Sequence, residues 1–470
     1  MAHTTRRAFM VQSTALTAAM LVPGGGRAQS GLPVLRAMPA TAQLAPQGYP
    51  GTEVWAYGIS GPGTVPGPEI RVTAGDAVRY RLQNDLPQAT AVHWHGIRID
   101  NAMDGAAPLT QPAVAPGDHF DYDFVVPDPG TYWYHSHNRS FEQVARGLSG
   151  PLIVEDTTPW AGKAGAAARD LTLVLDDWLL NSDATIVEDR WDDLHAAAHA
   201  GRLGNTVTVN GAAWPEFSLR PAERIRLRLI NTATARVMSL ALPELGARLI
   251  AVDGYPVTPR SAETLVLAPA QRADVIIDAP ATAEQRGALL LDPGNGEWVD
   301  IAGFLTKGDA VTATTADLLA LPAWPAWQNP DLVQPQNESL VMEGGAMRGL
   351  EKATYQGRTM DFRELVSHGM AWTFNGTAHG MAEPMFTARQ GRTVRMKIEN
   401  RTRFAHAVHL HGHHFQVLTD PHRDVRDTVL IGPDQSAEIA FVADNPGKWM
   451  IHCHMLGHQV SGMMGWFSVA

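Results

Sequence analysis

Pro68-Glu69-Ile70-Arg71-Val72-Thr73-Ala74-Gly75-Asp76-Ala77-Val78-Arg79-Tyr80-Arg81-Leu82-Gln83-Asn84 is the stretch that sets the architecture. Apolar and polar residues alternate on both sides of Gly75-Asp76, the pattern of two half-buried strands joined by a turn. The pattern returns twice. Pro215-Glu216-Phe217-Ser218-Leu219 leads through Ile225-Arg226-Leu227-Arg228-Leu229 to Asn231, and Pro384-Met385-Phe386-Thr387 leads through Val394-Arg395-Met396-Lys397-Ile398 to Asn400. Proline and asparagine are sixteen residues apart in all three copies. Such internal repetition settles the architecture before any single element is assigned. Many short strands with few helical stretches predict an all-β chain of three consecutive β-sandwiches. The units are expected at 31–157, 165–310 and 335–470, with the Pro- and Trp-rich stretch 321–335 as a connection over the surface.

Working outward from the asparagines, histidines stand at fixed offsets. His93 and His95 lie nine and eleven residues after Asn84, and His409 and His411 lie at the same offsets from Asn400. After Asn231 those offsets hold Leu240 and Leu242. A second pair is framed by Pro-Gly: Pro129-Gly130 precedes His135 and His137, and Pro446-Gly447 precedes His452 and His454 with equal spacing. The first and third units therefore carry ligand strands at equivalent places, and the middle unit carries aliphatic core there.

Between His452 and His454 stands Cys453, the only cysteine of the chain. Side chains alternate along a strand, so both imidazoles point one way and the thiol the other. One strand can thus serve two sites. Cys453, His458 and Met463 supply thiolate, imidazole and thioether; with His406 they complete the two-His, one-Cys, weak-Met set of a blue-copper electron-transfer site. The first unit has Ser136 where the third has Cys453, and a hydroxyl is a poor ligand for such a centre.

Composition narrows the function classes. The net charge of −11 offers no basic field for nucleic acid. A single cysteine excludes an intrachain disulfide, and a lone thiol in an exported protein needs a reason to persist, such as metal ligation. Thr5-Arg6-Arg7-Ala8-Phe9-Met10, a short apolar run to Val22 and small residues to Ala28 resemble a twin-arginine signal. The expectation is a leader at 1–30, export by the twin-arginine machinery, a periplasmic location and no stable membrane insertion.

The four motifs in order, His93-Trp94-His95-Gly96, His135-Ser136-His137, His406-Ala407-Val408-His409-Leu410-His411-Gly412, and His452 through Met463, resemble those of three-domain multicopper oxidases of the bacterial laccase-like and copper-efflux type. The resemblance covers nearly the whole chain after the leader. It implies three cupredoxin-like Greek-key sandwiches and four copper ions. His406, Cys453, His458 and Met463 would hold the blue (type 1) ion, and His93 and His409 the type 2 ion. Two type 3 ions would take His95, His135 and His454, and His137, His411 and His452. The implied activity is one-electron oxidation of a phenol, an aromatic amine or a reduced metal ion, coupled to reduction of dioxygen to water. Electrons would enter at His458 and cross Cys453. Asp104 occupies the position of an acid near the cluster, although Asp104-Gly105 is also good turn chemistry.

Two departures stand out. Gln459 replaces the acidic residue that many bacterial relatives carry there. The stretch Arg401-Thr402-Arg403-Phe404-Ala405 before His406 has no soft or anionic ligand for cuprous ion. Copper tolerance by sequestration is the rival reading, with slight support from the loosely spaced Met342, Met347, Met360, Met370 and Met381. A non-catalytic scaffold is disfavoured by the complete ligand set. His195 and His199 read as a solvated helix side rather than a metal-binding face. His413 and His414 read as residues behind the ligands or at the surface, and Trp55, Trp178 and Trp372 as core anchors.

Overall fold

The computed structural model describes residues 31–155, 169–189, 191, 193–312 and 329–470. The expected leader and most of the predicted connection at 321–335 lie outside the described residues. The repeat folds as its alternation predicts. In Ala77–Asn84, Val78 and Leu82 are buried while Arg79 is exposed. In Arg392–Asn400, Val394, Met396 and Ile398 are buried while Lys397 is exposed.

The asparagine ending each copy does the same work three times. Its side-chain oxygen accepts from the amide two residues on (Leu86, Ala233 and Thr402), an Asx-type turn. Its amide nitrogen donates to a carbonyl of a neighbouring segment, at Val114, Leu267 and Ile431. The repeat is therefore a hydrogen-bonding device that ends one strand and fixes where the next one starts. In the first and third units that next strand carries the histidines.

The first unit has two four-stranded sheets. One runs Thr52–Ile59, Val34–Ala42, Ala77–Asn84, His119–Val125, and the other Ile70–Thr73, Ser149–Glu155, Gly130–Ser136, Val92–His95. The middle unit has sheets of six and five strands, and so does the third, whose five-stranded sheet contains Gly447–Cys453 beside His406–Leu410. These are cupredoxin-like sandwiches. Among the described residues the longest helix, Phe362–Ser367, has six residues.

Packing explains where a shared site can form. Residues 33–470 make one compact unit. Leu82, Trp94 and Tyr132 of the first unit and Ile398, Val408 and Phe467 of the third belong to one contiguous buried cluster. The middle unit keeps a separate one, which includes Leu240 and Leu242. The outer units are thus joined through their cores. Trp178 and Trp372 are core anchors as expected, and Met342, Met360 and Met370 are core filler, whereas Met347 is exposed.

Candidate metal centre

The ligand strands sit in matching registers. In the first unit His93 is paired with His135 across antiparallel strands, and in the third His409 is paired with His452. Eight imidazoles from these strands and their ends converge, all of them buried: His93, His95, His135, His137, His409, His411, His452 and His454. His93 stacks on His411 and His95 on His409, each with ring centroids 3.9 Å apart, so each stack joins the two outer units. Three triads form, His93/His95/His409, His95/His135/His454 and His137/His411/His452. Within each, one donor atom per residue lies within 4.8 Å of the others.

The hydrogen bonds fix which nitrogen faces inward. His93 Nδ1 donates to the Asp104 carbonyl at 2.8 Å, His135 Nδ1 to the Ser136 carbonyl at 3.0 Å and His409 Nδ1 to the Asp427 carbonyl at 2.8 Å. A carbonyl only accepts, so each Nδ1 carries the proton and each Nε2 keeps a lone pair. Those Nε2 atoms, with His137 Nε2, His95 Nδ1 and both nitrogens of His454, are buried without any partner. A buried polar atom left unpaired costs roughly 1–3 kcal/mol. So many bare nitrogens aimed at one centre are what a cluster of metal ions would satisfy. His411 Nε2 and His452 Nε2 stand 3.2 Å apart. Two nitrogens about 2.0–2.1 Å from one ion at a tetrahedral angle would stand about 3.3 Å apart.

On the other side of the Gly447–Cys453 strand lies a second, fully buried set, His406, Cys453 and His458. His406 Nδ1 and His458 Nδ1 are 3.0 Å apart, and each is 3.7 Å from Cys453 Sγ. Ligands at about 2.0 Å (nitrogen) and 2.3 Å (sulfur) in a trigonal plane would have nitrogen and sulfur about 3.7 Å apart. Thr402 Oγ1 meets His406 Nε2 at 2.8 Å, and His458 Nε2 donates to the His199 carbonyl at 2.8 Å. Both outer edges are thereby engaged, and the Nδ1 atoms are left facing the thiol. Met463, also fully buried, accepts the Cys453 amide on its carbonyl at 3.1 Å. Trp372 packs its ring 5.0 Å from His406 and 4.7 Å from His458.

Two carboxylates back the eight-imidazole cluster. Asp104 is fully buried in the turn after Asn101–Met103. Its Oδ2 accepts from His411 Nδ1 at 2.9 Å, while Oδ1 has no hydrogen-bond partner and lies 3.4 Å from His93 Nδ1. The turn needs Gly105: at its φ of +75° a Cβ would fall 1.8 Å from the Val92 carbonyl oxygen. Asp427 is the second carboxylate, and no motif marks it. Its Oδ1 accepts from His95 Nε2 at 3.2 Å. Burial opposes its ionisation, but Arg272 and the facing imidazoles hold its carboxyl well below the usual range.

Of the two placements expected for His413 and His414, the structure takes the one behind the ligands. His413 and His414 are both buried, and His414 Nε2 lies 3.7 Å from Asp427. His195 is exposed on the short helix Leu194–Ala197, but the segment it belongs to covers His458 through the His199 carbonyl. Gln459 Oε1 accepts from Ser140 Oγ at 3.1 Å, tying the third unit to the first.

Burial, reinforced by neighbouring imidazoles, holds His95, His135, His406, His411, His452 and His454 well below the usual histidine range; burial also holds His458 down to about 4. They are neutral, as metal ligation requires. Burial pushes the Cys453 thiol up to about 12, so a metal must displace its proton on binding. The unfolded chain takes up protons at these seven histidines below a pKa of about 6.5, whereas the folded chain resists doing so. Stability of the metal-free protein should therefore be full above that pH and fall as pH drops below it, by on the order of 1 kcal/mol per pH unit for each such imidazole. Calorimetric melting of metal-free protein between pH 7 and pH 5 should show a steadily falling Tm; a flat Tm would contradict this.

Comparison with known proteins agrees with this geometry. Three family models, each described as multicopper oxidase, match residues 40–159, 169–286 and 352–470. The chain is 32% identical to multicopper oxidase MmcO of Mycobacterium tuberculosis, over 95% of this chain and 89% of that one. Among solved structures, Lac15 from a marine microbial metagenome is 35% identical with a TM-score of 0.73, covering 93% of this chain and 99% of that one. The multi-copper oxidase of Pseudomonas thermotolerans is 31% identical with a TM-score of 0.78, covering 93% and 98%.

Proposed function

This chain belongs to the multicopper oxidase family, and from that premise we propose that it is an exported oxidase. It takes single electrons from a phenol, an aromatic amine or a reduced metal ion and delivers four to each dioxygen, giving water. The observation that carries this reading is the convergence of eight imidazoles from the two outer units, joined through one cysteine to a second, sulfur-containing site.

The ligand roles proposed are those the family resemblance implies. His406, Cys453, His458 and Met463 would hold the type 1 ion, and His93 and His409 the type 2 ion. His95, His135 and His454 would hold one type 3 ion, and His137, His411 and His452 the other. Copper bound there supplies one-electron chemistry, and four ions match the electron count of dioxygen reduction.

The chain's own residues do the rest. Cys453 is covalently continuous with His452 and His454, so the two sites are wired through bonds rather than across a gap. Asp104 orients His411 through Oδ2 and keeps Oδ1 free to hold a proton beside the cluster. Gln459 cannot relay a proton as a carboxylate does; of the two carboxylates behind the cluster, Asp104 is the one with an oxygen lacking a hydrogen-bond partner. The His199 carbonyl occupies the outer edge of His458, so donors pass electrons through this lid instead of binding that nitrogen. We place the units at 31–157, 165–310 and 335–470, and read 1–30 as a twin-arginine leader to the periplasm. Among the described residues no helix is long and apolar enough to cross a membrane.

Copper-loaded protein should show a strong blue absorption band. It should take up one dioxygen per four electrons drawn from a phenolic donor, without accumulating peroxide. Colourless protein, or peroxide as the product, would refute the reading.

A further inference from the structure

We propose that Arg272, in the unit that supplies no ligand, is a positioning residue for the eight-imidazole cluster, acting through Asp427. This rests on the reading of that cluster as a copper site. Arg272 is fully buried, and all three of its guanidinium nitrogens donate hydrogen bonds. Nη1 donates to Asp427 Oδ1 at 2.9 Å and to the Ala270 carbonyl at 3.1 Å; Nη2 donates to Asp427 Oδ2 at 2.6 Å; Nε donates to the Thr131 carbonyl at 3.0 Å. The two parallel bonds to the carboxylate fix both its position and its plane.

Asp427 orients two cluster residues, one through its carboxylate and one through its backbone carbonyl. Asp427 Oδ1 also receives His95 Nε2 at 3.2 Å and Thr428 Oγ1 at 2.8 Å. A carboxylate accepts and does not donate, so His95 carries its proton on Nε2 and presents Nδ1 to the cluster. That Nδ1 is one of the partnerless nitrogens. The backbone carbonyl of the same Asp427 anchors His409 Nδ1 at 2.8 Å. One arginine therefore sets the side chain and steadies the residue whose two acceptors orient His95 and His409. Gly96, directly after His95, keeps the space open. With φ +86°, a Cβ there would lie 2.5 Å from Arg272 Nη2 and 2.7 Å from Asp427 Oδ2.

A purely structural pairing between units would lower stability without singling out the cluster. Arg228 provides the contrast. It is a buried arginine of the same unit, bound to Asp170, Asp274 and Thr131 Oγ1, with no bond to Asp427 or to a cluster imidazole among its contacts. The test loads wild-type, Arg272→Met, Arg272→Lys and Arg228→Met proteins with copper, counts copper per chain, and titrates each with a chelator while following both the copper released and the blue band. Arg272→Met should keep the blue band of wild type but release its remaining copper at about 10–100-fold lower chelator concentration, the usual effect of losing a partner behind the ligands. Arg272→Lys should fall between the two, since an ammonium gives charge without the two-pronged bond. Arg228→Met should melt earlier yet release copper as wild type does. A wild-type release curve for Arg272→Met overturns the proposal; should that variant not fold, a wild-type curve for Arg272→Lys does the same. Wild-type protein that binds only the blue-band copper would instead overturn the copper reading of the cluster.

Discussion

Cys453→Ser should give a folded, colourless protein with no measurable oxidase turnover. The exchange is almost isosteric, and free cysteine in a core behaves as a small hydrophobe, so the fold should survive. What disappears is the chain's only sulfur donor flanked by His452 and His454. A hydroxyl is a hard donor and does not replace a thiolate in a two-His, one-Cys plane. Cluster copper should stay, because none of the eight imidazoles depends on Sγ for its orientation. The contrast is the informative part: copper retained in the cluster, blue band gone, oxygen uptake at the level of copper-free protein. Turnover within a few-fold of wild type would show that electrons reach the cluster by another route.

Asp104→Asn should lower turnover by about 10²–10⁴-fold, the range for loss of a positioned acid, with copper content unchanged. The amide keeps an oxygen to accept from His411 Nδ1, so the ligand stays oriented, but it cannot hold and release a proton as the carboxyl can. Asp104→Ala should do more. It removes the acceptor as well and should weaken cluster copper by about 10–100-fold. If Asp104→Asn turns over like wild type, Asp104 is a turn residue whose amide donates to the Asn101 carbonyl, and the protons come from elsewhere.

How much of this was legible in the sequence depended on whether the physics repeats. Asn84, Asn231 and Asn400 each end a strand with the same local hydrogen bonds, so they recur at fixed spacing and betray the sandwiches. The histidines inherit that register, and strand alternation alone separates Cys453 from its neighbours. Contacts between units have no such signature. Asp427 lies next to a strand that pairs with the ligand strand, and Arg272 reaches it from 155 residues away. Neither position recurs in another copy of the repeat. The lid over His458 is a backbone carbonyl, which no side-chain pattern encodes. His413 and His414 follow a ligand motif, which fits a place behind the ligands or at the surface; only the fold decides for the first.

Anomalous diffraction at the copper absorption edge, from crystals of the loaded protein, tests most directly whether the outer units share three copper ions and Cys453 holds a fourth. One peak is expected among His406 Nδ1, His458 Nδ1 and Cys453 Sγ. Three more are expected within the ring of His93, His95, His135, His137, His409, His411, His452 and His454. Peaks confined to other residues, or an empty ring beside an occupied cysteine site, would contradict this arrangement.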